Sequence, residues 1–183
     1  MSLLKEFSKY DNFVFEQTDI KDLGHLYDCD YVINTAAESH VGNSIIDSQS
    51  FIDSNGIEYI ILRPTNNYGI GQYPEKLIPL SVKNLCRGKK IRLHNNGEPV
   101  RNWLHADDTA EAVLSIISSG KVNQIYNVAG GHEQKNSETV RKIVLHYHNT
   151  DDWKQYVDFS YSRQGQDVRY ALNDEKLRAL GWD

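Results

Sequence analysis

An α/β fold with a mostly parallel sheet is predicted by three observations. Strand-like and helix-like segments alternate along the chain, the order that threads a parallel sheet with crossover helices. The runs YVINTAA (Tyr31–Ala37) and EYIILR (Glu58–Arg63) are almost continuously apolar, as strands buried on both faces are. Polar stretches bearing Asn, Ser or Gly stand directly after strand-like segments, in NTAAESH, PTNNYG and YNVAGG, where open α/β sheets receive their ligands.

Each element has a local reason. NFVFEQ (Asn12–Gln17) has the short apolar-aromatic texture of a strand. Tyr31–Ala37 is the next strand, a helix is expected around Ser44–Asp53, and Glu58–Arg63 is a further buried strand. Pro74 precedes the helical pattern EKLIPLSVKNLCRG, with Gly88 as its stop. KIRLH, the turn NNGE and VRNWLH predict a strand pair. DDTAEAVLSIISSG is a helix starting at Asp107 or Asp108, where an acidic residue suits the positive helix end, and closing at Gly120. QIYNVAG (Gln124–Gly130) is a strand, SETVRKIVLHYH opens with Ser137 as N-cap, and NDEKLRALGW is a short last helix.

At 183 residues, 39% hydrophobic and 25% charged, the chain has ordinary globular composition and length for one domain with a real core. A net charge of −5 argues against a nucleic-acid partner, whose phosphates need a basic face. No apolar run has the length of a membrane span and no signal-peptide pattern opens the chain, so a cytoplasmic protein is expected. Cys29 and Cys86 are read as reduced, partly buried residues. His146 and His148, two apart on a predicted helix, face different sides, and no metal site is expected.

Taken singly, each polar strand end reads as an ordinary turn. Together, with NTAAESHV, NNYGIGQYPEKLIPL, GEPVRNWLHADD, YNVAGG and RQGQDVRYALNDEKLRALGW in this order, the chain resembles the dTDP-glucose 4,6-dehydratases of the extended short-chain dehydrogenase/reductase superfamily. The resemblance covers most of the chain. It implies a partial Rossmann-like doubly wound parallel sheet. Residues 1–64 would be the remnant of an NAD-binding domain. Residues 65–183 would be mainly a smaller α/β nucleotide-sugar-binding portion, with some strands returning to the Rossmann sheet. The implied activity is that of an NAD-dependent lyase: oxidation of a nucleotide-activated hexose at carbon 4, water loss across carbons 5 and 6, and re-reduction at carbon 6. A homodimer is implied for the intact protein.

The resemblance also assigns residues. Asp19 and Ile20 would hold the adenine of NAD, and Thr35, Ala36, Ala37, Glu38 and Ser39 would pass under its ribose and diphosphate, Ser39 also reaching the sugar. Asn66 would touch substrate and Asn67 the nicotinamide region. Lys76 and Leu77 would grip the nucleotide; Arg101, Asn127 and Arg163 would hold diphosphate and base, as the planar fork of Arg suits phosphate oxygens. Three departures stand out: Asn102 where the family has Asp, Arg92-Leu93-His94 where it has Pro-Ile-Tyr, and Gln166 where it has a His contact.

Some family features are absent from the string. No glycine-rich dinucleotide turn occurs, no lysine follows a tyrosine by four residues, and there is no Thr-Asp-Glu run. The superfamily uses the Tyr-x-x-x-Lys pair for proton transfer. Between Asn55 and Gly56 about eighty residues of the family pattern are missing, far more than loop-length variation. The chain as written is therefore expected to be inactive, as part of a longer dehydratase. The alternatives are a non-catalytic remnant that binds a nucleotide sugar and a sister epimerase or decarboxylase. The Cα separation of Asn55 and Gly56 would distinguish a seam from a peptide bond.

Overall fold

The computed structural model describes residues 6–18, 30–35, 58–162 and 165–183. The chain divides into two units, Met1–Ile57 and Glu58–Asp183. In the first, the amides of Tyr10 and Phe13 close successive turns on Phe7 and Tyr10 carbonyls at 3.0 and 3.1 Å. The Phe7 and Phe13 rings meet at 5.6 Å. The strand expected at Asn12–Gln17 is not formed, nor is that part of the Tyr31–Ala37 strand that lies in residues 31–35. Val14 is 80% exposed and Ile33 61%. An apolar run becomes a buried strand only where neighbours supply its ladder and its cover, and among the described residues no sheet includes either segment. The helix expected around Ser44–Asp53 and the Asn55–Gly56 junction lie outside the described residues.

The second unit runs β1 (Ile60–Pro64), β2 (Asn66–Tyr68), α1 (Leu77–Cys86), β3 (Ile91–Arg92), a 3-10 turn (His94–Gly97), β4 (Val100–His105) and α2 (Ala106–Ser119). It continues through β5 (Gln124–Val128), β6 (Glu133–Lys135), α3 (Asn136–His148), a second 3-10 turn (Trp153–Tyr156), β7 (Val157–Asp158), β8 (Arg169–Tyr170) and α4 (Glu175–Arg178). The pairings β1–β5, β2–β4, β3–β7 and β4–β8 are parallel, and β4–β6 is antiparallel. The predicted α/β class with a mostly parallel sheet is what forms.

The predicted pairing of KIRLH with VRNWLH does not form. Asn95, Asn96 and Gly97 follow one another at φ 51, 54 and 72°, so the chain coils there instead of folding back as a hairpin. A Cβ on Gly97 would lie 2.7 Å from both Leu93 Cδ2 and the Ser137 nitrogen. β3 is left to pair with β7, and β4 with β2, β6 and β8.

Helix ends follow local chemistry, with two corrections. Gly88, at φ 63°, closes α1 in a Schellman arrangement: its N–H reaches Leu85 O at 3.0 Å and that of Lys89 reaches Asn84 O at 2.9 Å. α2 is capped not by an aspartate but by His105, whose Nδ1 accepts from the Asp107 N–H at 3.3 Å. Asp107 and Asp108 occupy its first turn, where the helix dipole favours them. Lys135, rather than Ser137, stands at the N-cap of α3. Cys86 is exposed, contrary to the burial expected of it, because it ends the last turn of α1.

Two cores result. Leu104, Ala112, Ile116, Tyr126, Val128, Leu177 and Trp182 fill the space between β5, α2 and α4. Leu85, Ile91, Leu93, Val140, Val144 and Val157 join α1, α3 and the β3–β7 pair. The 77, 81, 85 spacing of α1 puts Leu77, Ser81 and Leu85 on one inward face. Main chain meets main chain at Gly130, where an added Cβ would lie 1.8 Å from Trp103 O. Gly130→Ala is expected to destabilise the protein by about 3 kcal/mol, since backbone cannot yield as a side chain does; urea unfolding measures it.

Candidate functional site

The site begins at Thr65, the one residue between β1 and β2. There the chain leaves the β1–β5 sheet and enters the sheet of β2, β4, β6 and β8. Thr65 N–H donates to Val128 O at 2.9 Å, and its hydroxyl donates to Asn102 Oδ1 at 3.1 Å. The same oxygen accepts from the Gly130 N–H at 2.8 Å. Thr65 and Asn102 are both 4% exposed. One carboxamide oxygen thus joins β4 to the carboxyl ends of β1 and β5. Parallel strands that part at their carboxyl ends leave a crevice.

The crevice is an open cleft of about 290 Å³ lined by Pro64, Thr65, Asn66, Arg101, Asp167 and Tyr170. Arg101 Nη1 donates to Val100 O at 2.7 Å and Asp167 O at 3.0 Å. Two carbonyls therefore fix one arm of the guanidinium, and among the described residues Nε and Nη2 remain to meet an anion. Asn66 Oδ1 is buried without a hydrogen-bond partner. A buried acceptor left unmade is costly, and this oxygen is shut off from the solvent of the cleft.

Of the residues singled out from the sequence, Asn66 and Arg101 are brought together in this cleft. Asn67 turns elsewhere: its Nδ2 donates to Thr65 O at 3.1 Å and its Oδ1 accepts from the Thr109 hydroxyl at 2.5 Å. Asn127 Nδ2 donates to Asn173 O at 2.9 Å. Gln166 accepts from Asn95 Nδ2 at 3.1 Å, one residue from the cleft-lining Asp167. Lys76 is exposed at the N-cap of α1, and Leu77 packs against the second core. None of these last five lines the cleft. Thr35 is exposed in the first unit. Asp19, Ile20, Ala36, Ala37, Glu38, Ser39 and Arg163 lie outside the described residues, as does Cys29. Of the residues expected on NAD, Thr35 and Asn67 are among the described residues, and they belong to different units. Asp167 and Tyr170 were missed, although RQGQDVRYALND is one of the motifs; only the return of β8 to β4 puts them beside Arg101.

Across β4, away from the cleft lining, one ion pair orders charge. Arg169 Nε and Nη2 donate to Glu133 Oε2 and Oε1, both at 2.7 Å. These bonds hold the Glu133 carboxyl below its ordinary range and raise the Arg169 guanidinium. On α3, Arg141 is likewise raised by its hydrogen bond to Glu138. Tyr147, hydrogen-bonded to Cys86, is raised as well.

Residues 48–129 match the model of the NAD dependent epimerase/dehydratase family. The chain is 34% identical over 161 residues to dTDP-glucose 4,6-dehydratase of Haemophilus influenzae, covering 83% of this chain and 46% of that protein. It is 32% identical over 135 residues to the low-salt glycan biosynthesis protein Agl12 of Haloferax volcanii, covering 74% and 43%. The crystal structure of DesIV, a dTDP-glucose 4,6-dehydratase from Streptomyces venezuelae with NAD and TYD bound, superposes with a TM-score of 0.67 at 37% identity. It covers 74% of this chain and 41% of DesIV. The resemblance read from the motifs is borne out, and so is the Rossmann-like α/β class. The chain spans less than half the length of these relatives.

Two outcomes are expected. Asn102→Ala strands the Thr65 hydroxyl and the Gly130 N–H and should cost about 2–3 kcal/mol in urea unfolding. Because the folded-state pKa of Glu133 is depressed, its stabilisation is present above the ordinary carboxyl range and lost as pH falls through the lowered value. Glu133→Gln should flatten that acid limb of the stability curve, measured by thermal unfolding below about pH 4.3.

Proposed function

We propose, from the premise that residues 48–129 belong to the NAD dependent epimerase/dehydratase family, that the whole protein is an NAD-dependent lyase. Its reaction is the dehydration of a nucleotide-activated hexose, dTDP-glucose to dTDP-4-keto-6-deoxyglucose. The observation that carries the reading is the cleft lined by Asn66 together with the tethered Arg101. In it Arg101 takes a diphosphate oxygen, and Asn66 stands beside it as a substrate contact in this reading. The names of the relatives supply the substrate class.

The division of labour follows. Residues 1–64 belong to the NAD side, with Asp19, Ile20, Thr35, Ala36, Ala37, Glu38, Ser39 and Asn67 as its residues. Residues 65–183 are mainly the nucleotide-sugar side, with Ser39 from the first portion, Asn66, Lys76, Leu77, Arg101, Asn127, Arg163 and Gln166. The return of β5 to pair with β1 accords with strands of the second portion rejoining the first sheet. Asn67 contributes by position, since its carboxamide is already engaged. The intact protein is a homodimer of the cytoplasm in this reading. No helix among the described residues is long and apolar enough to cross a membrane.

The 183-residue chain itself binds a nucleotide sugar without turning it over, because it holds neither Tyr-x-x-x-Lys nor Thr-Asp-Glu. That absence also favours the second reading, a non-catalytic remnant. Mass and turnover decide between them. A native protein longer than this chain that removes one water from dTDP-glucose, seen by mass spectrometry, supports the lyase. A native protein of 21.0 kDa that binds without turnover supports the remnant. Arg101→Met should weaken dTDP-glucose binding about thirtyfold, roughly 2 kcal/mol for a charged hydrogen bond. Titration calorimetry reads it, and failure of the unsubstituted protein to bind dTDP-glucose overturns the reading.

A further inference from the structure

Arg101 is held by a carbonyl of the 165–170 segment, whose ties to the rest of the unit are few and include the Asn95 Nδ2 bond to Gln166 Oε1 at 3.1 Å. Residues 165–170 are mostly exposed, and β8 is two residues long. Its backbone ties are the short ladder to β4 and the Val100 N–H to Val168 O bond at 2.8 Å. Yet this segment supplies Asp167 O to Arg101 and Tyr170 to the cleft. Tyr170 sits opposite Arg101 in register, and Arg169 opposite Val100. By strand alternation, Arg169 therefore lies on the face of β4 away from Arg101. It crosses that face to Glu133 on β6, the strand at the other edge of β4. Among the described residues this is the one side-chain ion pair that ties β8 to the sheet. Its two parallel bonds fix direction as well as distance, as a single contact would not.

We propose that the Glu133–Arg169 pair is a positioning clamp: it pins the 167–170 segment across β4 so that Asp167 O keeps the Arg101 guanidinium aimed into the cleft. Neither residue touches the ligand. The clamp rests on the reading of the cleft as a diphosphate site and adds to it the pair that sets its affinity. It has a ligand-specific consequence. Loosening the segment misdirects Arg101 and weakens a ligand that carries phosphate far more than one without it.

The test uses the full-length protein with two probes, thymidine diphosphate by calorimetry and thymidine by ligand-observed NMR. The variants are Glu133→Gln, Arg169→Lys, and the reversed pair Glu133→Arg with Arg169→Glu. Each single variant should raise the Kd for thymidine diphosphate about fivefold, a modest effect for a partly exposed pair. The Kd for thymidine should stay within about twofold, since no charged contact to it is lost. The reversed pair should restore most of the lost diphosphate affinity. Equal weakening of both probes marks the pair as merely structural and overturns the clamp, as does an unchanged Kd for thymidine diphosphate in both single variants. Absence of diphosphate binding by the unsubstituted protein overturns the functional reading first and the clamp with it.

Discussion

The second unit hangs on the side-chain oxygen of Asn102. Two sheets meet there, and the oxygen accepts from both: from Thr65, where β1 hands over to β2, and from Gly130, past the end of β5. Buried polar groups must be paired, so this joint admits few alternatives. It sets where the strands part, and thereby where the cleft opens. Gly130 serves the same joint by bringing main chain against Trp103. An aspartate, the residue the resemblance puts here, would accept the same two bonds; the neutral carboxamide does so without burying a charge.

From that joint outward the site is a matter of tethering. Arg101 is useful because one of its nitrogens is already spent on carbonyls, which lowers the entropy lost when the others meet an anion. Asn66 lines the same cleft beside it. The carboxylates of Glu133 and Glu98 are drawn into ion pairs with Arg169 and Lys135. On the face of β4 that carries Arg101, Trp103 and Gln134 both donate to the Thr139 hydroxyl, at 3.1 and 2.8 Å, binding the sheet to α3. The C-terminus is pinned separately: Trp182 Nε1 donates to Asp108 O at 3.2 Å, and Arg178 lies 5.0 Å over its ring.

The first unit shows the limit of local pattern. Val14, Phe15, Val32 and Ile33 have the texture of buried strands, yet they stand exposed. Their β preference is a preference for packed neighbours more than for a backbone shape. The match to relatives covers less than half of their length, so this part of the pattern is read with only some of its context present.

What the sequence determined alone was the kind of fold and the places to look. A continuous isoleucine-rich run marks β1, the pattern EKLIPLSVKNLCRG after Pro74 marks α1, Gly88 marks its end, and PTNNYG marks a strand end that lines the cleft. These are legible because period, caps and left-handed glycines act within a few residues. The tertiary structure decided the rest. It made the asparagine-glycine turn after β3 a coil instead of a hairpin, because Gly97 is pressed on Ser137. It gave the N-cap of α2 to His105, spent the Asn67 carboxamide on Thr109, and brought Asp167 and Tyr170 to Arg101 from 66 and 69 positions along the chain (167 − 101 and 170 − 101). Those outcomes depend on which strand finds which edge, and a pairing energy spread over distant residues leaves no local trace in the string.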